Sequence, residues 1–169
     1  MIHVVKADPN HVQGIADVCI NATRATYKDI YTQEYTDRVI VEFYNSERIQ
    51  EEVNHSNREW GGYFVALENS EVIGACGGGM VSETAGEVFV LYLEPNRRNE
   101  GIGSKLLEAV TTQQKESFHA TEQWVSVQKG NLKGIPFYEA KGFVYKHEQT
   151  GYANKESDDY RSLRYYRKL

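Results

Sequence analysis

Arg98, Gly101 and Gly103 fall in the order Arg-x-x-Gly-x-Gly directly after an apolar run that closes with Leu93, Glu94 and Pro95. That spacing suits the capture of an anion. Two glycines in a short turn let the backbone bend so that several free N–H groups at a helix start converge on one point, where the helix dipole adds partial positive charge. Arg98 sets a full positive charge beside them, so a phosphate or pyrophosphate is the natural ligand. A P-loop would need Gly-x-x-x-x-Gly-Lys-Ser/Thr, but here Lys105 follows Ser104 rather than a glycine. The dinucleotide pattern Gly-x-Gly-x-x-Gly would need a third small residue where the chain has Leu106. Neither reading fits.

A second segment narrows the ligand. After an expected strand from Gln123 to Gln128, the chain runs Gly130-Asn131-Leu132-Lys133-Gly134-Ile135-Pro136-Phe137-Tyr138, and Gly142-Phe143 follows after three further residues. Taken with the Arg-x-x-Gly-x-Gly turn, this resembles the GNAT superfamily of acyl-CoA-dependent N-acetyltransferases, whose members carry Asn-x-x-Ala-x-x-Phe-Tyr-x-x-x-Gly-Phe at this distance. One position departs from the pattern. Gly134 stands where the family usually has alanine, which keeps the side chain small but weakens a short helix by roughly 1 kcal/mol.

The resemblance implies a co-substrate and a set of roles. Acetyl-CoA would lay its pyrophosphate on the turn from Arg98 through Asn99, Glu100, Gly101, Ile102 and Gly103 to Ser104. Its pantetheine arm would meet main-chain groups of Leu91 and Leu93 like an added strand, with Asn131 contacting the same arm. Transfer to an amine also needs a proton removed, since an alkylammonium of pKa ~10.4 is neutral in only about one part in a thousand at pH 7. Glu87, eight residues before Pro95, matches the glutamate that many relatives place there as a base, acting directly or through water. Tyr138 matches the general acid that protonates the departing thiolate. The bland alternatives are an exposed strand-start carboxylate and a core tyrosine. Tyr92, an odd number of residues from Glu87, is expected on the opposite strand face, as pocket lining. Direct transfer is preferred, because no Gly-x-Ser-x-Gly or comparable nucleophile motif is present. No metal is expected: the five histidines lack ligand spacing.

These groups must be held by a scaffold, and the hydrophobic pattern outlines one. Val88 to Leu93 is continuous apolar sequence, as in a strand buried on both faces, while Ile102, Leu106, Leu107 and Val110 recur at helical spacing. Ile2–Lys6 reads as a strand, Asp8-Pro9 as a helix start, and Gln33 to about Asn54 as one long helical stretch. Tyr63–Glu68 and Val72–Met80 read as a hairpin, and two strands near Phe143–Gln149 and Ser162–Arg167 close the chain. The order β-α-α-β-β-β-α-β-α-β-β is similar to the GNAT fold: an α/β architecture, residues 1–169 as a single domain, with a mixed, mostly antiparallel central sheet flanked by helices. At 169 residues, 40% hydrophobic and 25% charged, with no apolar run near ~20 residues, the composition suits a cytoplasmic globular protein. Cys19 and Cys76 read as buried thiols. A net charge of −5 argues against nucleic-acid or anionic-membrane partners.

The resemblance assigns the acceptor pocket to the segment between the first two strands, Thr23 to Trp60. Asp29 to Glu59 holds eight acidic and three basic residues, interspersed with tyrosines. This favours a small cationic amine as acceptor, with Tyr27, Tyr31 and Tyr92 as substrate-binding residues, although a solvated helix face explains the same charges. Protein or peptide N-acetylation is the alternative enzyme reading, and a non-catalytic acyl-CoA-binding regulatory module the alternative class. The basic end, Arg161, Arg164, Arg167 and Lys168, is either a protected strand edge or the contact of a homodimer.

Overall fold

The computed structural model describes residues 1–169. Asp8 caps a short 3-10 turn, accepting a hydrogen bond from Asn10 N and placing Pro9 at the first turn position; from there the chain enters α1 (Val12–Tyr27). The expected long helix from Gln33 is instead two, α2 (Gln33–Phe43) and α3 (Ser46–Asn54). Asn45 breaks it, because its side chain accepts from Arg48 N and starts a new helix. The strands are β1 (Ile2–Lys6), β2 (Tyr63–Glu68), β3 (Glu71–Met80), β4 (Ala85–Leu93), β5 (Glu122–Gln128), β6 (Val144–Thr150) and β7 (Arg161–Lys168). Helix α4 (Ile102–Thr112) continues into a π-turn over Gln113–Ser117, and α5 is Gly134–Ala140.

All seven strands form one sheet in the order β1-β2-β3-β4-β5-β7-β6, and every pairing is antiparallel except β4 with β5. The expected mixed sheet is therefore present. Each sheet face has its own core. Val88, Ile102, Leu106, Leu107, Val125, Tyr138 and Phe143 fill the face under α4 and α5, while Ile15, Cys19, Tyr35, Val39, Ile49 and Ala75 fill the face under α1, α2 and α3. Both cysteines are buried and free.

Two irregularities in the sheet create the site. First, β4 stays in parallel register with β5 only from Ala85↔Glu122 to Val88↔Val125, and beyond these residues the strands part. Second, Gly77 and Gly78 of β3 pair with Val90 and Val88, so Phe89 is an extra residue, a β-bulge. Bulged residues share a face, so alternation reverses across this point: Val88 packs with Leu91 and Leu93 on one face, Val90 with Tyr92 on the other. Tyr92 consequently shares a face with Glu87, contrary to the expectation from their odd separation. The strand is also less buried than a continuous apolar run implies. Phe89 is 47% exposed and Leu91 to Leu93 are half-buried, because β5 no longer covers them.

The β3 partner explains how the chain accommodates this. Gly77, Gly78 and Gly79 follow one another, and a Cβ on each would strike the Trp60 ring, the Glu87 carbonyl or the Glu59 carbonyl respectively. Only glycine permits these approaches.

Candidate active site

The parted strands open a cleft of about 440 Å³ that passes through the sheet, lined by Val88–Leu93 of β4, Val125–Val127 of β5, the Gly130–Gly134 loop, and Tyr27–Ile30 at the end of α1. On the α4 side, the turn after Pro95 closes it. Gly101 has φ +79° and Asn99 φ +66°, both left-handed. The first backbone bond of α4 runs from Lys105 N to Gly101 O at 3.1 Å, so the amides from Gly101 to Ser104 lack intrahelical partners. A Cβ on Gly101 would meet nothing within 4 Å; glycine is required there by conformation, not crowding. Gly103 is buried against Phe137, and Arg98 lines the cleft, exposed and without a salt-bridge partner.

The turn is braced by a residue the sequence did not single out. Arg97 forks onto Glu68 of β2 at 2.7 and 3.0 Å and onto Glu100 at 2.8 and 3.0 Å. The Arg97 hydrogen bonds hold both carboxylates below their usual range. The Glu100 side chain is therefore spent on the turn, and Ile102 is buried in the core. These two residues can offer an anion only main-chain groups.

Asn131 lines the cleft with its Oδ1 accepting from Gly134 N at 2.9 Å. A Cβ on residue 134 would press on the Asn131 amide as it is placed here, so alanine at this position would need that side chain to shift. The Asn131 Nδ2 protons stay free. Tyr138 is buried between Phe137 and Phe143, their ring centroids 5.1 and 5.4 Å away, and it too lines the cleft. Burial, seconded by the nearby Cys76 thiol, pushes its pKa up, so the phenol keeps its proton at neutral pH.

Glu87 sits elsewhere. It is absent from the cleft lining, and both its oxygens are engaged by Arg164, at 2.7 and 2.9 Å, with each side chain only 14% exposed. The basic C-terminal segment is not a sheet edge, although Lys168 and part of Arg161 remain exposed. β7 is an interior strand, Arg161 bonds Thr150, and Arg167 reaches Gln123, Thr111 and the Lys141 carbonyl.

On the α1 side, the hydroxyls of Tyr27 and Tyr92 meet at 3.4 Å. Burial raises both pKa values, so neither is a phenolate base. Tyr31 stands behind, its ring 4.6 Å from Tyr27 and its hydroxyl donating to Gln128 at 2.8 Å; it does not line the cleft. Of the eight acidic residues between Asp29 and Glu59, Asp29 alone does, and it is the one carboxylate in the lining. Asp37 and Glu52 face Arg24 and Arg48 instead.

A parallel strand pair that parts beside a helix-start anion cradle, with a protonated tyrosine at the gap, is the arrangement of an acyl-coenzyme-A transferase. The sequence model of the acetyltransferase (GNAT) family matches residues 21–143, and the chain belongs to that family. It is an acetyl-CoA-dependent N-acetyltransferase. The chain is 28% identical over 144 residues to the spermidine N(1)-acetyltransferase of Thermoplasma acidophilum, covering 84% of this chain and 88% of that one. The PaiA N-acetyltransferase of Thermoplasma acidophilum, solved with coenzyme A, superposes with TM-score 0.80 at 24% identity over 100% and 99% of the two chains. The ribosomal-protein-S18-alanine N-acetyltransferase of Escherichia coli superposes with TM-score 0.71 at 12% identity over 99% and 94%. At these identities the structural matches speak to fold.

Proposed function

We propose that the protein moves the acetyl group of acetyl-CoA directly to a primary amine of a small cationic molecule, a polyamine being the leading class. The observation that carries this reading is the division of the cleft between two sheet faces: the Arg98–Ser104 cradle, Asn131 and Tyr138 towards α4 and α5, and Tyr27, Tyr92 and Asp29 towards α1 and α2. The first face suits the coenzyme. Arg98 and the free amides of Gly101–Ser104 hold the pyrophosphate, and Asn131 Nδ2 donates to the pantetheine arm. Tyr138 donates its proton to the sulfur as the carbon–sulfur bond breaks.

The second face suits the acceptor. The edge of the Tyr27–Tyr92 pair offers aromatic surface to an alkyl chain and π faces to a cation, and Asp29 takes a distal ammonium. The spermidine-acetylating relative supports the same class. The test is thiol release from acetyl-CoA, screened over spermidine, spermine, putrescine, aminoglycosides, amino acids and lysine-containing peptides. Turnover is expected with the polyamines. Release with peptides alone would move the reading to protein acetylation, and coenzyme binding without release for any amine would overturn it.

A further inference from the structure

Ser126 is the first residue of β5 after Val125, the last one paired with β4, so it sits where the two strands part. It lines the cleft. Its Oγ accepts a 2.7 Å hydrogen bond from Arg164 Nη1, and the cross-strand register places Ser126 opposite Arg164 and Trp124 opposite Tyr166. Arg164 is fixed on three sides: by Ser126, by the bidentate Glu87 carboxylate, and by the Trp124 ring, 5.2 Å from the guanidinium carbon to the centroid. Residues of β4 and β5 thus converge on the Arg164 guanidinium of β7, which in turn holds the Ser126 hydroxyl.

The donor inventory settles which way that hydroxyl points. A guanidinium has no acceptor, so Ser126 cannot give its hydrogen to Arg164. No other group of the chain hydrogen-bonds Ser126 Oγ. Its hydrogen is therefore left for the cleft, and an oxygen already accepting from a cation is a better donor than a free alcohol.

We propose that Ser126 is a catalytic residue whose hydroxyl donates to the acetyl carbonyl oxygen as negative charge develops there, and that Glu87 and Arg164 are positioning residues that aim it. The inference rests on the acetyl-transfer reading of the cleft. Ser126 forms no covalent bond and keeps its proton: the carbonyl carbon gains a bond to nitrogen and loses that to sulfur, the sulfur takes the Tyr138 proton and leaves as the thiol, and the proton shed by the amine passes through water in the cleft to restore the Tyr138 phenol. Tyr138, on the other sheet face, serves the sulfur; Ser126 serves the oxygen. Glu87 then needs no contact with substrate, which agrees with its place behind Arg164.

Two measurements test this. The first is the infrared carbonyl band of acetyl-CoA labelled with carbon-13 in the acetyl group, bound to the wild type and to Ser126→Ala. A band at lower frequency in the wild type is expected, and coincident bands would overturn the proposal whatever the acceptor turns out to be. The second is a double-mutant cycle on turnover with the best amine of the screen. Ser126→Ala should lower kcat about 10²-fold with coenzyme affinity unchanged, and Glu87→Gln should lower kcat in the wild type but add nothing in the Ser126→Ala background. Equal losses from Glu87→Gln in both backgrounds would show that Glu87 acts independently of the hydroxyl and would overturn the positioning role. A wild type that turns over no amine sinks the acetyl-transfer reading, whereas coincident infrared bands sink the contact between Ser126 and the acetyl oxygen, so the two failures are distinguishable.

Discussion

Tyr138 donates to no group of the chain and keeps its proton through burial, so its hydroxyl is free to meet a ligand in the cleft. Tyr138→Phe should lower turnover by about 10²-fold or more while coenzyme affinity, measured by calorimetry, stays unchanged. Gly101 makes a contrasting case. Because a Cβ there meets open space, Gly101→Ala should act through its φ alone, costing about 1–3 kcal/mol and weakening coenzyme binding together with thermal stability. Asp29→Asn should raise KM for a polyamine about fivefold, the worth of one exposed ion pair of ~1 kcal/mol, with kcat little altered. At this scale the sequence was legible wherever a candidate role depends on neighbours along the chain. Arg98, Gly101 and Gly103 stand out by their spacing and Asn131 and Tyr138 by the resemblance of their segment to the family's, and the structure sets all five on or around the cleft. Glu87 could be located but not understood, since the residue that engages it lies 77 positions away in a segment that reads only as basic.

Elements show a similar division. The strands and most helices follow from hydrophobic period, but the reversal of alternation at Phe89 leaves no mark in β4 itself, where the bulge interrupts a run of uniformly apolar residues. Its trace is in β3, as three glycines in a strand. A buried chain of amides supports the same region from the α4 face. Gln114 Nε2 donates to the Glu87 carbonyl at 2.9 Å, Gln123 Nε2 donates to Gln114 Oε1 at 3.0 Å, and Arg167 Nε donates to Gln123 Oε1 at 3.0 Å. Gln123 is fully buried, so Gln123→Leu would leave Gln114 Oε1 and Arg167 Nε without their partner at a cost of about 2–3 kcal/mol, seen as a Tm lower by on the order of 5–10 °C. On the acceptor side, α2 is tied to the β6–β7 connection by Arg38 and Asp158 at 2.6 Å, and by Tyr35 donating to Asn154 at 2.8 Å. The Lys155 amide and then Arg38 hold the Asp158 pKa below the ordinary value. A depressed carboxylate contributes its full stability above its unfolded pKa of about 3.9 and loses it as pH falls through the folded value. The protection factors of amides 151–160, from hydrogen exchange corrected for the intrinsic rate at each pH, should therefore be flat from pH 5 upward and fall only in stronger acid. Asp158→Asn should remove that dependence.

At the scale of the whole molecule, sequence and structure agree on a mixed sheet with helices on both faces, and the strand order explains what the sequence could not place. The C-terminal strand passes between β5 and β6, bringing Arg164 and Arg167 to opposite sheet faces at the gap, so the last few residues of the chain help build its centre. The gap has a consequence beyond chemistry. Below Val88 and Val125 two strand edges lie in the middle of the sheet with no partner in each other, a condition that proteins ordinarily bury, pair or guard with charge. A pantetheine chain lying between them would serve as the missing strand, and coenzyme A at 100 times its Kd should stabilise the fold by about 2.7 kcal/mol, raising Tm by about 5–10 °C. Thermal melts with and without coenzyme A would measure it. The protein's lifetime against proteolysis and self-association would then follow the cell's supply of coenzyme A, making a metabolite pool a regulator of how much of this enzyme survives.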